Sequence, residues 1–193
     1  MINKIHKYIN ESSEVLKSLT KHASIIEKIS KQILICHNNK GKILVCGNGG
    51  SQADADHFVG ELVCTYSKRN RKPISAISLS HPIAALTAWS NDFNYNTLLQ
   101  RQVKAHGKKN DILFLISTGG GSKKNKTSLN LVYAAEEAKK KGMKVISLIG
   151  KTGGILKKIS NNSLIVESFK TSYIQESHIV ILHLICEFLE EKL

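Results

Sequence analysis

Apolar residues recur at helical spacing through the first forty residues of the chain. Ile5 and Ile9 begin the pattern, Ile25 and Ile29 continue it, and no proline interrupts residues 2–38. Repeats of three or four residues place such side chains on one face of a helix. The pattern predicts two amphipathic helices at the start of the chain.

Five short apolar runs then predict β-strands, at residues 42–46, 74–79, 111–117, 144–149 and 163–166. A strongly helical segment, residues 129–141, separates the third run from the fourth. Strands that alternate with helices form parallel sheets covered by helices on both faces, because right-handed crossovers place the helices there. We expect an α/β fold, a three-layer αβα sandwich of the Rossmann-like or flavodoxin-like kind with a five-stranded parallel sheet.

The last predicted helix, residues 173–192, is apolar almost all round in its middle. A helix with this pattern is buried on most of its surface. We expect another subunit to cover part of it.

Chain length and composition predict one domain over residues 1–193, with N-terminal helices at 1–40 and an α/β core and C-terminal helix at 41–193. No apolar stretch approaches the ~20 residues of a membrane span, and charged residues among the first fourteen exclude a signal peptide. The four cysteines form no CxxC pair and predict reduced thiols. We expect a cytoplasmic protein without membrane contact.

The net charge of +13, from 28 Lys and Arg against 15 Asp and Glu, raises the alternative of a nucleic-acid-binding protein. Only Arg69, Arg71 and Arg101 are arginines, and the lysines are spread along the chain. Nucleic-acid modules more typically concentrate arginine or interleave basic and aromatic residues. The distribution favours a solvated lysine-rich surface and argues against nucleic acid as a partner.

Two glycine-rich loops follow predicted strands, at residues 46–52 and 117–122. Ligands of parallel α/β sheets bind beyond the carboxyl ends of the strands, where glycines let a phosphate approach the backbone. Neither loop has a Walker or GxGxxG spacing, so no nucleotide is expected. The alternative for the first loop is a tight turn with Ser51 as the N-cap of the next helix.

Polar residues on two helices are candidates for chemistry. His57 and Glu61 are four residues apart and therefore share a helix face. This spacing fits three interpretations: two metal ligands, an acid and a base, or an ordinary surface pair. Gln175 and His183 lie in the apolar last helix, where a histidine is either functional or a core residue with a buried partner.

The motifs together resemble phosphoheptose isomerases, a family of SIS-domain proteins. They are CGNGGSxxDAxHFxxEL at residues 46–62, SNDF at 90–93, IST-x-G-x-S at 116–122, KGMKVISL-x-G at 141–150 and IQExH-x4-H at 174–183. Their order and spacing are kept from the N-terminal helices to the last helix. The resemblance implies an SIS fold, a homotetramer with active sites at subunit interfaces, and conversion of sedoheptulose 7-phosphate to D-glycero-D-manno-heptose 7-phosphate through an enediol for surface-polysaccharide heptose synthesis.

The resemblance also implies roles for individual residues. Glu61 is the expected base and His183 its acid partner, and some members hold zinc at the positions of His57, Glu61, Gln175 and His183. The expected substrate contacts are Asn48, Gly49, Gly50, Ser51, Glu61, Asn91, Asp92, Ser117, Thr118, Gly119, Ser122 and Gln175. An alternative comes from non-catalytic SIS-domain regulators that bind a protein partner or sugar phosphate. These tend to lack the acid and base that this chain retains.

Four positions depart from the resemblance. Gly119 and Gly121 replace a common Ser and Asn, Thr65 replaces a frequent Arg, and Ser172 replaces a frequent Asp. These changes leave the isomerase machinery intact and bear on which sugar phosphate is bound.

Helix geometry adds one expectation about assembly. Gln175 and His183 are eight residues apart, which separates them by about 12 Å along a helix and about 80° around it. A zinc ion lies only ~2 Å from each ligand atom. We therefore expect residues from neighbouring subunits to complete the site.

Overall fold

The computed structural model describes residues 1–80 and 82–193. Its strands are β1 (Ile43–Cys46), β2 (Ala76–Ser78), β3 (Ile112–Ser117), β4 (Lys144–Gly150) and β5 (Asn162–Val166). They form one parallel sheet in the order β2-β1-β3-β4-β5. The predicted five-stranded parallel sheet is confirmed, and each strand lies within two residues of its predicted position.

The helices are α1 (Ile2–Lys17), α2 (Ala23–Asn38), α3 (Gly50–Val63), α4 (Ile83–Asp92), α5 (Tyr95–His106), α6 (Leu129–Lys140), α7 (Leu156–Ile159) and α8 (Thr171–Lys192). A short 3-10 helix, Ser18–His22, joins α1 to α2, which confirms the two leading helices. The strand patterns did not predict α4 and α5, which lie between β2 and β3.

Helices cover both faces of the sheet and create two apolar cores. On one face α2, α3 and α8 pack around Phe58 and Phe114, whose rings lie 5.1 Å apart. On the other face α5, α6 and α7 pack on side chains such as Leu113 and Val145. Successive strand residues point to opposite faces, so fully buried runs such as β3 supply both cores.

The last helix buries ten residues within its own chain, among them Ile181, Leu182 and Ile185. His178 is fully buried, whereas His183 is only partly buried and Leu184 is 40% exposed. Its own chain therefore buries ten of the 22 residues of this helix, and a covering subunit stays a prediction. No helix in the described part of the chain has the length and apolar content needed to cross a membrane.

A buried carboxylate near the end of α8 fixes the segment that follows α3. Glu190 accepts hydrogen bonds from the backbone N–H groups of Tyr66, Ser67 and Lys68, each at 2.9 Å, and from the Ser67 hydroxyl. Its Oε1 lies 3.2 Å from Nε of Arg71, and both side chains are at most 3% exposed. Burial alone would raise the pKa of Glu190, but these hydrogen bonds lower it to about 2.

Candidate active site

The first glycine loop joins β1 to α3 at the carboxyl edge of the sheet. Gly49 is the N-cap of α3 with φ of +55°, a left-handed conformation that glycine adopts readily. The buried Ser51 lies in the first turn of α3 and donates its N–H to the Asn48 carbonyl at 3.1 Å. The alternative of Ser51 as the N-cap is therefore wrong.

Asn48 is held in one orientation by side chains from two other helices. Its amide exchanges two hydrogen bonds with the amide of Asn130, at 3.0 and 2.7 Å, and its oxygen accepts a third from the Tyr95 hydroxyl at 2.8 Å. These contacts preorganise a predicted substrate residue. No local sequence pattern predicts Tyr95 and Asn130 as part of the site, because their partner Asn48 lies 47 and 82 residues away.

Gln175 packs directly on the first loop. A Cβ built on Gly50 would lie 2.1 Å from Nε2 of Gln175, so the glycine leaves the space that the amide fills. The structure therefore brings two of the predicted substrate residues together.

His57, Glu61 and His183 meet within one chain where α3 lies beside α8. Nε2 of His57 lies 3.1 Å from Nε2 of His183 and 3.4 Å from Oε1 of Glu61. The side chains of His57 and Glu61 are 43% and 23% exposed, so an incoming molecule can reach them. Tyr66 borders the group, with its ring centroid 5.5 Å from that of His183.

These three residues converge within one chain because α3 runs beside α8. The expectation about neighbouring subunits came from the spacing of Gln175 and His183 on α8, and a contribution from another subunit to the site stays a prediction.

His57, Glu61 and His183 supply the types of donor atom that zinc binds. Two imidazole nitrogens and a carboxylate oxygen are common zinc ligands, and in a tetrahedral site neighbouring donors lie about 3.3 Å apart. The separations of 3.1 and 3.4 Å are close to that value. Within residues 1–80 and 82–193, no group of three or more His, Cys, Asp or Glu side chains has the full spacing of a metal site. Binding one ion therefore requires side-chain adjustment.

The second glycine loop follows β3. The Ser117 hydroxyl accepts a hydrogen bond from the Gly120 N–H at 3.0 Å, and Ser122 forms an isolated bridge with Thr127. Thr118 and Gly119 are partly buried. The loop thus lies at the same sheet edge as the first one, since β1 and β3 are parallel neighbours.

Asn91 and Asp92 lie exposed at the end of α4. They share a hydrogen bond of 2.8 Å from Nδ2 of Asn91 to Oδ1 of Asp92. In the described part of the chain, no hydrogen bond joins them to either glycine loop.

Comparisons with known proteins agree with this geometry. The SIS domain family matches residues 7–150. A phosphoheptose isomerase of Leptospira biflexa is 46% identical over 147 residues, 76% of this chain and 72% of the relative. One from Helicobacter pylori is 48% identical over 143 residues, 74% and 71% of the two chains. This chain belongs to the phosphoheptose isomerase family.

A solved structure supports the same assignment over nearly the whole length. The phosphoheptose isomerase of Francisella tularensis has a TM-score of 0.90 and 35% identity, and the match covers 98% of each chain. The SIS fold of this family member is therefore established, and the chain is an isomerase. The alternative of a non-catalytic regulator is not supported.

Proposed function

We propose that this phosphoheptose isomerase family member converts sedoheptulose 7-phosphate to D-glycero-D-manno-heptose 7-phosphate in the cytoplasm, supplying heptose for surface polysaccharide. The proposal is supported by the names of its relatives. The observation that carries it is the contact of His57, on the helix that follows the first glycine loop, with both Glu61 and His183.

Conversion of a 2-ketose to an aldose moves a proton between adjacent carbons through an enediol. Glu61 takes a proton from C1, and C2 receives one when the aldose forms. His183 transfers protons to and from the two oxygens of the enediol. Asn48, held by Asn130, and the backbone of the first loop orient the sugar phosphate.

Glu61→Gln tests this assignment, because it removes the base and keeps the shape of the side chain. We expect the isomerisation rate with sedoheptulose 7-phosphate to fall by about 10²- to 10⁴-fold, with substrate affinity and fold retained. Glu27→Gln, on the exposed surface of α2, is the matched control. Activity of the Glu61 variant above about a tenth of wild type would contradict the role.

We also propose one zinc ion per chain, held by His57, Glu61, Gln175 and His183. When bound, such an ion polarises the substrate carbonyl and stabilises the enediolate. Elemental analysis of the purified protein should find about one zinc per chain, and His57→Gln should lose most of it. An unchanged zinc content in that variant would show that these residues do not form the site.

Exposed apolar residues support a homotetramer as the working assembly. They include Ile5 and Ile9 on α1 and Ile83 and Phe93 at the ends of α4. Light scattering of the purified protein should give about four times the 21.3 kDa chain mass. A fully active monomer would contradict this proposal.

A further inference from the structure

His183 has few polar contacts for a residue that the proposed function makes an acid partner. Within residues 1–80 and 82–193, only the His57 ring shares a hydrogen bond with it, at 3.1 Å between the two Nε2 atoms. A single hydrogen bond leaves other side-chain rotamers open to the imidazole. Packing against neighbouring rings therefore has to supply the rest of its orientation.

Two aromatic rings contact the His183 imidazole. The His57 centroid lies 5.3 Å from it with 55° between the ring planes, and the Tyr66 centroid lies 5.5 Å away with 33° between the planes. Ring pairs at such separations attract each other. The His57 side chain is 43% exposed, whereas Tyr66 packs against the apolar core that α3 and α8 share. Tyr66 is therefore the firmer of the two supports.

The backbone of Tyr66 is fixed by the same helix that carries His183. Its N–H donates to Oε1 of Glu190 at 2.9 Å, and the next two backbone N–H groups bind the same carboxylate. Glu190 lies seven positions after His183 on α8, about 10.5 Å along the axis and about 20° around it. Both side chains therefore leave nearly the same face of α8, and the segment anchored at Glu190 lays the Tyr66 ring against His183.

Arg71 ties this segment to the end of α3 as well. Its Nη2 donates to the carbonyls of Glu61 and Leu62 at 2.6 and 3.1 Å, and its Nε lies 3.2 Å from Oε1 of Glu190. These bonds close the last turn of the helix that bears Glu61, where carbonyl groups lack partners within the helix. The segment is thus fastened to both helices whose side chains meet at the site.

We propose that Tyr66 is a positioning residue for the isomerase reaction. Its ring holds the His183 imidazole in the orientation that meets His57, and the buried pair of Glu190 and Arg71 holds Tyr66 in place. The role of Tyr66 rests on the proposed function, because Tyr66 acts through His183. The ring acts by packing, so its hydroxyl is not needed.

Tyr66→Ala and Tyr66→Phe separate the ring from the hydroxyl. With sedoheptulose 7-phosphate, we expect Tyr66→Ala to lower kcat by at least about tenfold and to change KM by less than about threefold, because a misplaced catalytic group slows the chemical step more than binding. Tyr66→Phe should recover most of that kcat. The matched control is Tyr133→Ala, which removes a partly buried tyrosine from the opposite core and should keep kcat within about twofold of wild type.

Crystal structures of the variants test the orientation of His183 without turnover. In Tyr66→Ala, we expect His183 to leave the rotamer that brings its Nε2 to 3.1 Å from that of His57, whereas Tyr66→Phe should keep it. Circular dichroism checks folding. If Tyr66→Ala does not fold, Tyr66→Leu, which keeps apolar volume without a ring, takes its place with the same expected results.

An unmoved His183 in Tyr66→Ala, or a kcat there equal to that of wild type, would overturn the proposal. So would an equal loss of kcat in Tyr66→Phe, which would assign the effect to the hydroxyl, or in Tyr133→Ala, which would assign it to lost stability. Failure of wild type to turn over sedoheptulose 7-phosphate would instead count against the proposed function, while the crystal structures would still report on His183.

Discussion

Replacing Glu190 by glutamine tests the buried network that ties the end of α8 to the segment after α3. Glutamine keeps the size of the side chain but removes its charge. Arg71, whose side chain is 2% exposed, then loses its buried partner. Glutamine also presents an N–H₂ group where the carboxylate accepted from Ser67 and Lys68. The variant leaves a buried charge and buried donors uncompensated.

The pKa of Glu190 gives the size of the effect. A value of about 2 against an ordinary 4.5 corresponds to about 3 kcal/mol of stability at neutral pH. Solvent near the exposed loop screens part of this, and removing one member of a buried ion pair costs about 3–5 kcal/mol. We expect Glu190→Gln to lower the free energy of unfolding by about 2–3 kcal/mol.

Urea unfolding at several pH values measures this difference. The native pKa is lowered, so the carboxylate contributes fully above pH 4.5 and its contribution is lost as pH falls through about 2. The difference in free energy of unfolding between wild type and variant should therefore be largest at pH 7 and should shrink in acid. Glu191→Gln, exposed on the same helix, should change stability by less than about 0.5 kcal/mol. A pH-independent gap, or one below 1 kcal/mol, would refute the reasoning.

Three further predictions concern glycine, histidine and surface charge. Gly50→Ala should fold normally but alter substrate KM, because the new Cβ meets only the flexible end of Gln175. Gly120→Ala should lower the free energy of unfolding in urea by about 2–4 kcal/mol, because its Cβ meets the Gly153 backbone at a positive φ. Burial lowers the pKa of His178 to about 4, so its contribution to stability is present above pH 6.5 and lost as pH falls to about 4; His178→Gln should remove that pH dependence. Binding to generic duplex DNA, measured by fluorescence anisotropy, should be weak at physiological salt and disappear as salt rises; sequence-selective submicromolar binding would contradict the solvated-surface interpretation.

Local sequence patterns predicted the sheet because its strands are short apolar runs, and both cores bury the central strands β1, β3 and β4. β3 and β4 are fully buried apart from Lys144, so their composition alone identifies them. The helix α4 was missed for the opposite reason. None of its residues is buried in this chain, and so no apolar stripe facing the core marks it.

The sequence predicted which residues belong to the site better than it predicted the contacts between them. His57 and Glu61 share a helix face by their spacing, which sequence can show. The amide pair between Asn48 and Asn130 joins residues 82 positions apart, and no local pattern encodes it. The sequence did not predict the contact of residues 151–154 with the second glycine loop either, because that contact depends on glycine packing between distant segments.

The arrangement of α3 beside α8 explains how one chain brings His57 and Glu61 to His183 and brings the first glycine loop to Gln175. Gly50 meets Gln175 at one end, and His57 meets His183 further along, so the two helices run in the same direction. His57 lies seven positions after Gly50, about 10.5 Å along α3, and His183 lies eight positions after Gln175, about 12 Å along α8. Because these lengths nearly match, α3 places Gly50 beside Gln175 and His57 beside His183. The Gln175 side chain lies against the glycine loop, whose backbone is expected to orient the sugar phosphate. If Gln175 also binds zinc with His183, its side chain must leave Gly50, and Gly50→Ala should then raise zinc affinity relative to wild type. An unchanged or lower zinc affinity in that variant would leave Gln175 as a substrate contact alone.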